Sequence, residues 1–158
     1  MAYIGVISDT HGLLRPEALA ALKGAERIIH AGDVGDPAIL DALGAIAPVL
    51  AVRGNIDRGA WANVLPGSRV VEWSERAIYV LHDIAELELD PAAAGFHAVI
   101  TGHSHRPAIE NKDGVLYFNP GSAGPRRFRL PITLGRLTVS PEGLQAELVD
   151  LSATAASK

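Results

Sequence analysis

The chain has 158 residues, of which 48% are hydrophobic, and this predicts one domain with a substantial core. The formal net charge of −4 argues against general affinity for nucleic acid or for an anionic membrane. No cysteine is present, which excludes disulfides and thiolate zinc sites.

The amino terminus has no basic region and enters a strand-like run at once, so we expect no signal peptide. The most apolar longer segment, residues 38–52, is interrupted by Asp41, Gly44 and Pro48. A membrane-spanning helix needs roughly 20 mainly apolar residues. We therefore expect a cytoplasmic protein with no membrane partner.

The first third of the chain alternates short apolar runs with helical segments. Strands are predicted at residues 2–7, 27–30 and 46–52, and helices at residues 16–22 and 37–44. Asp36 followed by Pro37 is a typical helix start, and Pro48 weakens the early half of the third strand. The alternation predicts an α/β unit with largely parallel strands, whose ligands collect at the carboxyl ends of the strands.

The rest of the chain is predicted to be rich in strands, with one brief helix at residues 90–95. The strands fall at residues 68–73, 76–82, 96–100, 107–112, 115–119, 132–139 and 144–151. Hairpins are predicted around Ser74-Glu75, Asp113-Gly114 and Pro141-Glu142-Gly143. We expect two packed sheets with helices outside, in a single domain over residues 1–151, followed by a fraying tail at residues 152–158.

Polar motifs follow five of the predicted strands. They are Ser8-Asp9-Thr10-His11-Gly12, His30-Ala31-Gly32-Asp33, Arg53-Gly54-Asn55, His82 and Thr101-Gly102-His103-Ser104-His105. Gly102 is expected to let the backbone bend after its strand, because glycine has no Cβ. The motifs supply seven metal-ligand candidates: Asp9, His11, Asp33, Asn55, His82, His103 and His105. Seven donors without thiolate suit two divalent metals that share a carboxylate.

Each candidate also has an ordinary structural interpretation. Asp9 and Asp33 could be helix caps, His82 could bond to backbone at a strand end, and Asn55 after Gly54 is typical of a turn. All of these structural interpretations would have to be correct at the same time, so we favour the metal site. For the two remaining histidines near strands, His30 and His97, we prefer the structural interpretation. Asp83 could orient a ligand histidine or be an exposed loop acid.

The ordered set Asp9-x-His11, Gly32-Asp33, Gly54-Asn55, His82 and Gly102-His103-x-His105 resembles the calcineurin-like metallophosphoesterases. With Asn119-Pro120-Gly121-Ser122, it looks like their small bacterial and archaeal phosphodiesterase branch. The resemblance implies a four-layer α/β sandwich of two mixed sheets flanked by helices, with a dinuclear site at the strand ends. It places Asp9, His11 and His105 on one metal and Asn55, His82 and His103 on the other, with Asp33 as the bridge.

Two cations about 4 Å apart can clamp a phosphoryl oxygen and generate hydroxide from bound water near neutral pH. Mn²⁺ is the expected metal, with Fe²⁺, Zn²⁺, Ni²⁺ and Mg²⁺ as alternatives. Catalytic roles are predicted for Asp33, Asn55, His82 and Arg53. Arginine binds phosphate bidentately, so Arg53, Arg106 and the cluster Arg126, Arg127 and Arg129 are candidate phosphate contacts. A solvated basic loop is the alternative for the cluster.

The chain departs from the family pattern at two positions. Many metallophosphoesterases have a histidine after the motif asparagine, as a candidate acid for the leaving group, whereas this chain has Ile56 followed by Asp57. The small branch often has His-Gly-His where this chain has His82-Asp83-Ile84. The first departure predicts weak cleavage of esters with poor leaving groups.

The function predicted from these residues is a metal-dependent phosphodiesterase acting on a small phosphate ester. A phosphomonoesterase or a nucleotide pyrophosphatase is the alternative within the enzyme class. An interaction scaffold is the alternative outside it, because a eukaryotic retromer subunit resembles the same branch. A homo-oligomer is compatible with the sequence.

Overall fold

Two five-stranded mixed sheets pack face to face in the computed structural model, which describes residues 2–127 and 129–151. The strands are β1 Ile4–Ile7, β2 Arg27–His30, β3 Val49–Ala51, β4 Ser68–Trp73, β5 Arg76–Leu81, β6 Ala98–Ile100, β7 Ala108–Lys112, β8 Val115–Asn119, β9 Thr133–Ser140 and β10 Gly143–Asp150. The helices are α1 Pro16–Ala21, α2 Pro37–Gly44, α3 Ala60–Asn63 and a 3₁₀ helix, Ile84–Glu86.

The first sheet has the order β10-β9-β1-β2-β3, and the second has the order β4-β5-β6-β8-β7. Strands β1, β2 and β3 are parallel, as are β5, β6 and β8. The carboxyl-terminal hairpin joins the first sheet, where β9 pairs antiparallel with β1. The expected α/β sandwich of two mixed sheets is confirmed. The parallel strands occupy the centre of the second sheet, whereas in the first sheet they extend to the edge strand β3.

Alternation along the strands divides the apolar residues between the core and the outer layers. Ile4 and Val6 of β1 face the second sheet, where they belong to one core cluster with Ile78 and Phe118. Ile7 faces outward, in a cluster that contains residues of α1 and α2. The outer face of the second sheet carries a smaller cluster, to which Leu87 after the 3₁₀ helix contributes.

Several local predictions are confirmed, and others are wrong. The Asp36 side chain caps α2 by accepting from the Ala38 N–H at 2.9 Å. The hairpins at Ser74-Glu75 and Asp113-Gly114 form, and all four turn residues have positive φ. The third strand is shorter than predicted and begins after Pro48, which has no N–H to donate.

The helix predicted at residues 90–95 does not form. Asp90 caps the segment through the N–H groups of Ala92 and Ala93, but only turns follow, up to Gly95 with φ of 86°. Helix α3 and the 3₁₀ helix were not predicted. The tail predicted at residues 152–158 lies outside the described residues. No helix within residues 2–127 and 129–151 is long and apolar enough to cross a membrane.

Candidate metal centre

All seven predicted donors lie in loops that follow strands at one end of the sandwich. Asp9 and His11 follow β1, Asp33 follows β2, and Asn55 follows β3. His82 follows β5, and His103 and His105 follow β6. Because parallel neighbours end at the same edge of a sheet, and the two sheets face each other, these loops converge.

One group of possible ligands consists of Asp9 and His105, which are buried, and His11, which is partly buried. The Oδ1 atom of Asp9 lies 3.7 Å from Nε2 of His11 and 3.4 Å from Nε2 of His105. The two imidazole rings have their centroids 5.2 Å apart. This is the set that the family resemblance assigns to one metal.

A second group consists of Asp9, Asp33 and His82. The Oδ2 atom of Asp33 lies 3.2 Å from Nε2 of His82 and 3.4 Å from Nε2 of His11, so it stands between the two predicted metal sites. Asp9 also reaches the second group, with Oδ1 3.9 Å from Nε2 of His82. The structure thus offers two carboxylates that reach both sites, whereas the sequence interpretation assigned this position to Asp33 alone.

His103 and Asn55 lie at the rim. The His103 ring meets the His82 ring edge-on at 5.2 Å, and its side chain is 43% exposed. Asn55 is exposed in the loop after β3. The placement of both is compatible with the second predicted site, and their roles as ligands stay predictions.

Buried polar atoms without hydrogen-bond partners show that the site suits a cation. Within the described residues, these atoms include Oδ1 of Asp9, Nε2 of His11, Nε2 of His82 and Nδ1 of His105. An unpaired buried polar group costs about 1–3 kcal/mol. Carboxylate and imidazole donors suit divalent transition metals, and ions bound among Asp9, His11 and His82 would satisfy the free atoms of these three residues.

In each of the two carboxylates, Asp9 and Asp33, one oxygen accepts hydrogen bonds from the protein. Oδ2 of Asp9 accepts from the Ser8 hydroxyl at 2.7 Å and from the His103 N–H at 3.1 Å. Oδ1 of Asp33 accepts from the Ile56 N–H at 3.1 Å. Each carboxylate is therefore held by one oxygen and presents the other to the centre.

His82 is oriented in the same way. Its Nδ1 lies 2.7 Å from the Ala31 carbonyl oxygen, so Nδ1–H donates and Nε2 faces the centre with its lone pair. This contact is the strand-end bond that the structural interpretation of His82 proposed. The bond to backbone and metal ligation are compatible, because they use different ring nitrogens.

The charges of the site perturb three of its groups. Burial raises the pKa of the Asp33 carboxyl, but His82 and the Ile56 N–H outweigh burial and lower the pKa overall. Burial lowers the pKa of His82, but Asp33 and Asp9 raise it above its ordinary value. Burial lowers the pKa of His105, and Arg127 adds to this effect against the opposing charge of Asp9.

Backbone strain is concentrated at the candidate ligands. Among the described non-glycine residues, eight have a positive φ, and three of them lie in hairpin turns. The other five are Asp9, His11, Asp33, His103 and His105, with φ between 46° and 70°. This conformation costs about 1–2 kcal/mol per residue. Strain of this kind is typical of functional sites and was not visible in the sequence.

Gly102 is required for a different reason from the one expected. Its φ is not in the positive region, and the bend occurs instead at His103 and His105. A Cβ at residue 102 would lie 2.0 Å from Oγ of Ser8 and 2.7 Å from Oδ2 of Asp9. The glycine therefore permits close approach of the β6 loop to the β1 loop.

Asp57 clamps two of the motif loops together. Its carboxylate is 4% exposed and accepts from the N–H groups of Val34 at 3.2 Å, Gly35 at 2.9 Å and Gly54 at 2.9 Å. These bonds connect the loop of Asp33 to the loop of Asn55. With both oxygens occupied, Asp57 is not free to orient an imidazole introduced at position 56.

The Asn119-Pro120-Gly121-Ser122 motif braces the ligand loops from behind. Nδ2 of Asn119 donates to the Gly102 carbonyl at 3.0 Å and to Oγ of Ser104 at 3.1 Å. The Ser122 hydroxyl donates to the Asp9 carbonyl at 3.0 Å. The sequence interpretation used this motif only for the resemblance. Its supporting role could have been predicted, because the motif is polar and comes at the end of a buried strand.

The structural interpretation of the remaining strand-end histidines agrees with their contacts. His30 is fully buried, with Nδ1 accepting from the Gly32 N–H at 3.1 Å and Nε2 3.0 Å from Oγ1 of Thr10. His97 accepts from the Ala77 N–H at 3.2 Å and is exposed. The helix-cap alternatives are wrong, because Arg15 and Asp36 occupy the N-cap positions of α1 and α2.

The candidate phosphate-binding arginines are all exposed. They are Arg53, Arg106, Arg126, Arg127 and Arg129. The charge of Arg127 contributes to the lowered pKa of His105. Asp83, at the second departure, caps the 3₁₀ helix through the Ala85 N–H and lies 3.7 Å from Nε2 of His103. It is therefore a partly buried neighbour of a candidate ligand, not a plain loop acid.

Comparisons with known proteins agree with this geometry. The calcineurin-like phosphoesterase superfamily domain matches residues 3–142. A probable metallophosphoesterase of Methanothermobacter thermautotrophicus is 35% identical, over 92% of this chain and 91% of its own length.

Two solved structures share the fold at lower identity. One, described as a novel archaeal phosphodiesterase, has a TM-score of 0.77 and 24% identity, covering 93% of this chain and 99% of its own. Vps29 of Chaetomium thermophilum has a TM-score of 0.74 and 20% identity, and the match covers 93% of this chain and 96% of Vps29. From the match to the family and the identity to its archaeal relative, the chain belongs to the calcineurin-like phosphoesterase superfamily.

Proposed function

We propose that the protein is a metal-dependent phosphodiesterase with a dinuclear centre, acting on a small phosphate ester. The observation that carries the proposal is the convergence of buried donor atoms that have no partner among the described residues, on Asp9, His11 and His82. A scaffold would gain nothing from these unpaired atoms or from five strained backbone positions at the same place.

The proposed division of the ligands follows the family resemblance. Asp9, His11 and His105 would hold one ion, and His82, His103 and Asn55 the other, with Asp33 shared. The two groups of donors support the first set and the pairing of Asp33 with His82. When bound, two divalent cations supply Lewis acidity toward a phosphoryl oxygen and lower the pKa of water enough to give hydroxide near neutral pH. Mn²⁺ is the first ion to test.

Residues beside the metal centre would position the ester and restrict its leaving group. Arg53 borders the centre beside Asn55 and would hold a phosphoryl oxygen through its guanidinium group. Ile56 is 42% exposed at the position next to Asn55 and has no proton to give to a departing alkoxide. The site is therefore suited to esters whose leaving group needs no protonation.

The test is hydrolysis of bis(p-nitrophenyl) phosphate by the purified chain. Activity should disappear after chelation and return with Mn²⁺ or a similar ion, with metal content measured in parallel. Activity that survives complete metal removal would exclude the mechanism.

A second candidate function is an interaction scaffold, favoured by the shared fold with Vps29. The same assay separates the two, because a scaffold would show no metal-dependent turnover. Parallel reactions with p-nitrophenyl phosphate and with a nucleotide pyrophosphate distinguish the phosphomonoesterase and pyrophosphatase alternatives.

A further inference from the structure

A groove of about 800 Å³ lies beside the candidate metal centre. Arg53, Asn55 and His82 form part of its wall, so a phosphate held at the centre would border it. Small-molecule sites typically have volumes of roughly 300–1,000 Å³. A phosphate group is much smaller than this groove, which leaves room for the organic part of an ester.

Part of the wall is apolar. Tyr79 and Leu81 of β5 and Leu89, which is 36% exposed, contribute to it. The Tyr79 ring packs against the Phe96 ring, with centroids 5.1 Å apart, which limits its movement. An organic group with an apolar surface would be desolvated by this wall.

The same groove is lined by two acidic residues, Glu86 and Glu88. Both residues are exposed, and neither forms an ion pair within the part of the chain that the structure describes. Arg53, on the same wall, also has no ion-pair partner there. Charges of opposite sign thus face one cavity without neutralising each other.

We propose that this groove binds the cationic organic group of a zwitterionic phosphodiester, in which phosphate is esterified to an amino alcohol. The phosphate would lie at the metal centre beside Arg53, so this inference rests on the proposed function. The ammonium group would lie among Glu86, Glu88 and the Tyr79 ring, since carboxylates and aromatic rings both attract ammonium ions. A second phosphate in the groove would be repelled by the two glutamates.

The test compares two substrates of equal shape, p-nitrophenyl phosphocholine and p-nitrophenyl 3,3-dimethylbutyl phosphate, in which carbon replaces the charged nitrogen. Two exposed ion pairs predict that kcat/KM favours the cationic ester by roughly 2- to 30-fold. The double variant Glu86→Gln/Glu88→Gln should bring this ratio close to one.

A matched control is Glu75→Gln/Glu110→Gln, which removes the same net charge. Glu75 lies in the turn between β4 and β5, and Glu110 on β7, at the far edge of the second sheet from β4. This variant should keep the wild-type ratio. A wild-type ratio near one, or equal ratios in the two double variants, would overturn the groove assignment even where both esters are hydrolysed.

Failure of the proposed function gives a different result, namely hydrolysis of neither ester. In that case, the affinities of phosphocholine and 3,3-dimethylbutyl phosphate are measured by calorimetry. Their comparison tests the groove assignment without any hydrolysis. A preference for phosphocholine that the groove variant loses supports it, and equal binding overturns it. Competition by glycerophosphocholine or by phosphatidylcholine vesicles at equal headgroup concentration identifies a soluble ester or a lipid as the source of the group.

Discussion

Protonation of His30 should destabilise the fold as the pH falls below about 6.5. Burial lowers the pKa of this imidazole from 6.5 to about 4, although Asp9 and Asp57 oppose the effect. The Thr10 hydroxyl donates to the Val34 carbonyl at 2.8 Å, so Nε2–H of His30 must donate to Thr10. The Gly32 N–H then occupies Nδ1, which leaves no position for a second proton.

The sign follows from comparing the folded and unfolded states. The pKa of His30 is lower in the folded state than in the unfolded state. Between pH 6.5 and 4 the unfolded chain therefore binds more protons, and the free energy of unfolding decreases as the pH is lowered. The loss amounts to about 2 kcal/mol at pH 5 and approaches about 3 kcal/mol below pH 4. Above pH 7 the contribution vanishes.

The perturbation is His30→Asn, in which Oδ1 can still accept from the Gly32 N–H. Urea unfolding of the metal-free chain gives the free energy of unfolding at pH 7.5 and pH 5.0. We expect the wild type to lose about 2 kcal/mol more than the variant between these values. His97→Asn, at an exposed histidine that also accepts from a backbone N–H, is the matched control. Parallel pH curves for wild type and His30→Asn would refute the reasoning.

Three further predictions concern the centre and its support. Asp33→Asn should lower metal affinity more than about 100-fold, and more than Asn55→Ala, because it removes a shared charge rather than one neutral donor; unchanged metal content by elemental analysis would reject the bridge. Ile56→His should speed cleavage of esters with basic leaving groups and flatten the dependence of rate on leaving-group pKa. The gain should be about 10²-fold, at the lower end of the range of general acid catalysis, because Asp57 is occupied and cannot orient the new imidazole. A shallow dependence already present in the wild type would contradict the role given to Ile56. Asp57→Ala should destabilise the chain by about 3 kcal/mol or more, because three backbone N–H groups lose their acceptor; a loss below about 1 kcal/mol in urea unfolding would show that water replaces the clamp.

The candidate ligands were predictable from sequence because each follows a buried strand. The runs ending at Ile7, His30 and Ala51 are short and apolar, and the strands parallel to one another end at one edge. Chain order and residue type therefore sufficed to nominate the donors. The turns at Ser74-Glu75 and Asp113-Gly114 were predictable for a similar reason, since their conformation depends on the turn residues themselves.

The tertiary structure alone decided how the donors are arranged. Oδ2 of Asp9 is occupied by the N–H of His103, 94 residues further along the chain, and Asp57 bonds to Val34 and Gly35 across 23 and 22 residues. It also decided that β9 and β10 extend the first sheet, that Asp9 belongs to both groups of donors, and that Asp33 lies near His11 of the first group. Residue type and strand periodicity act over a few neighbouring positions, whereas these bonds form only when loops distant in sequence are packed against one another.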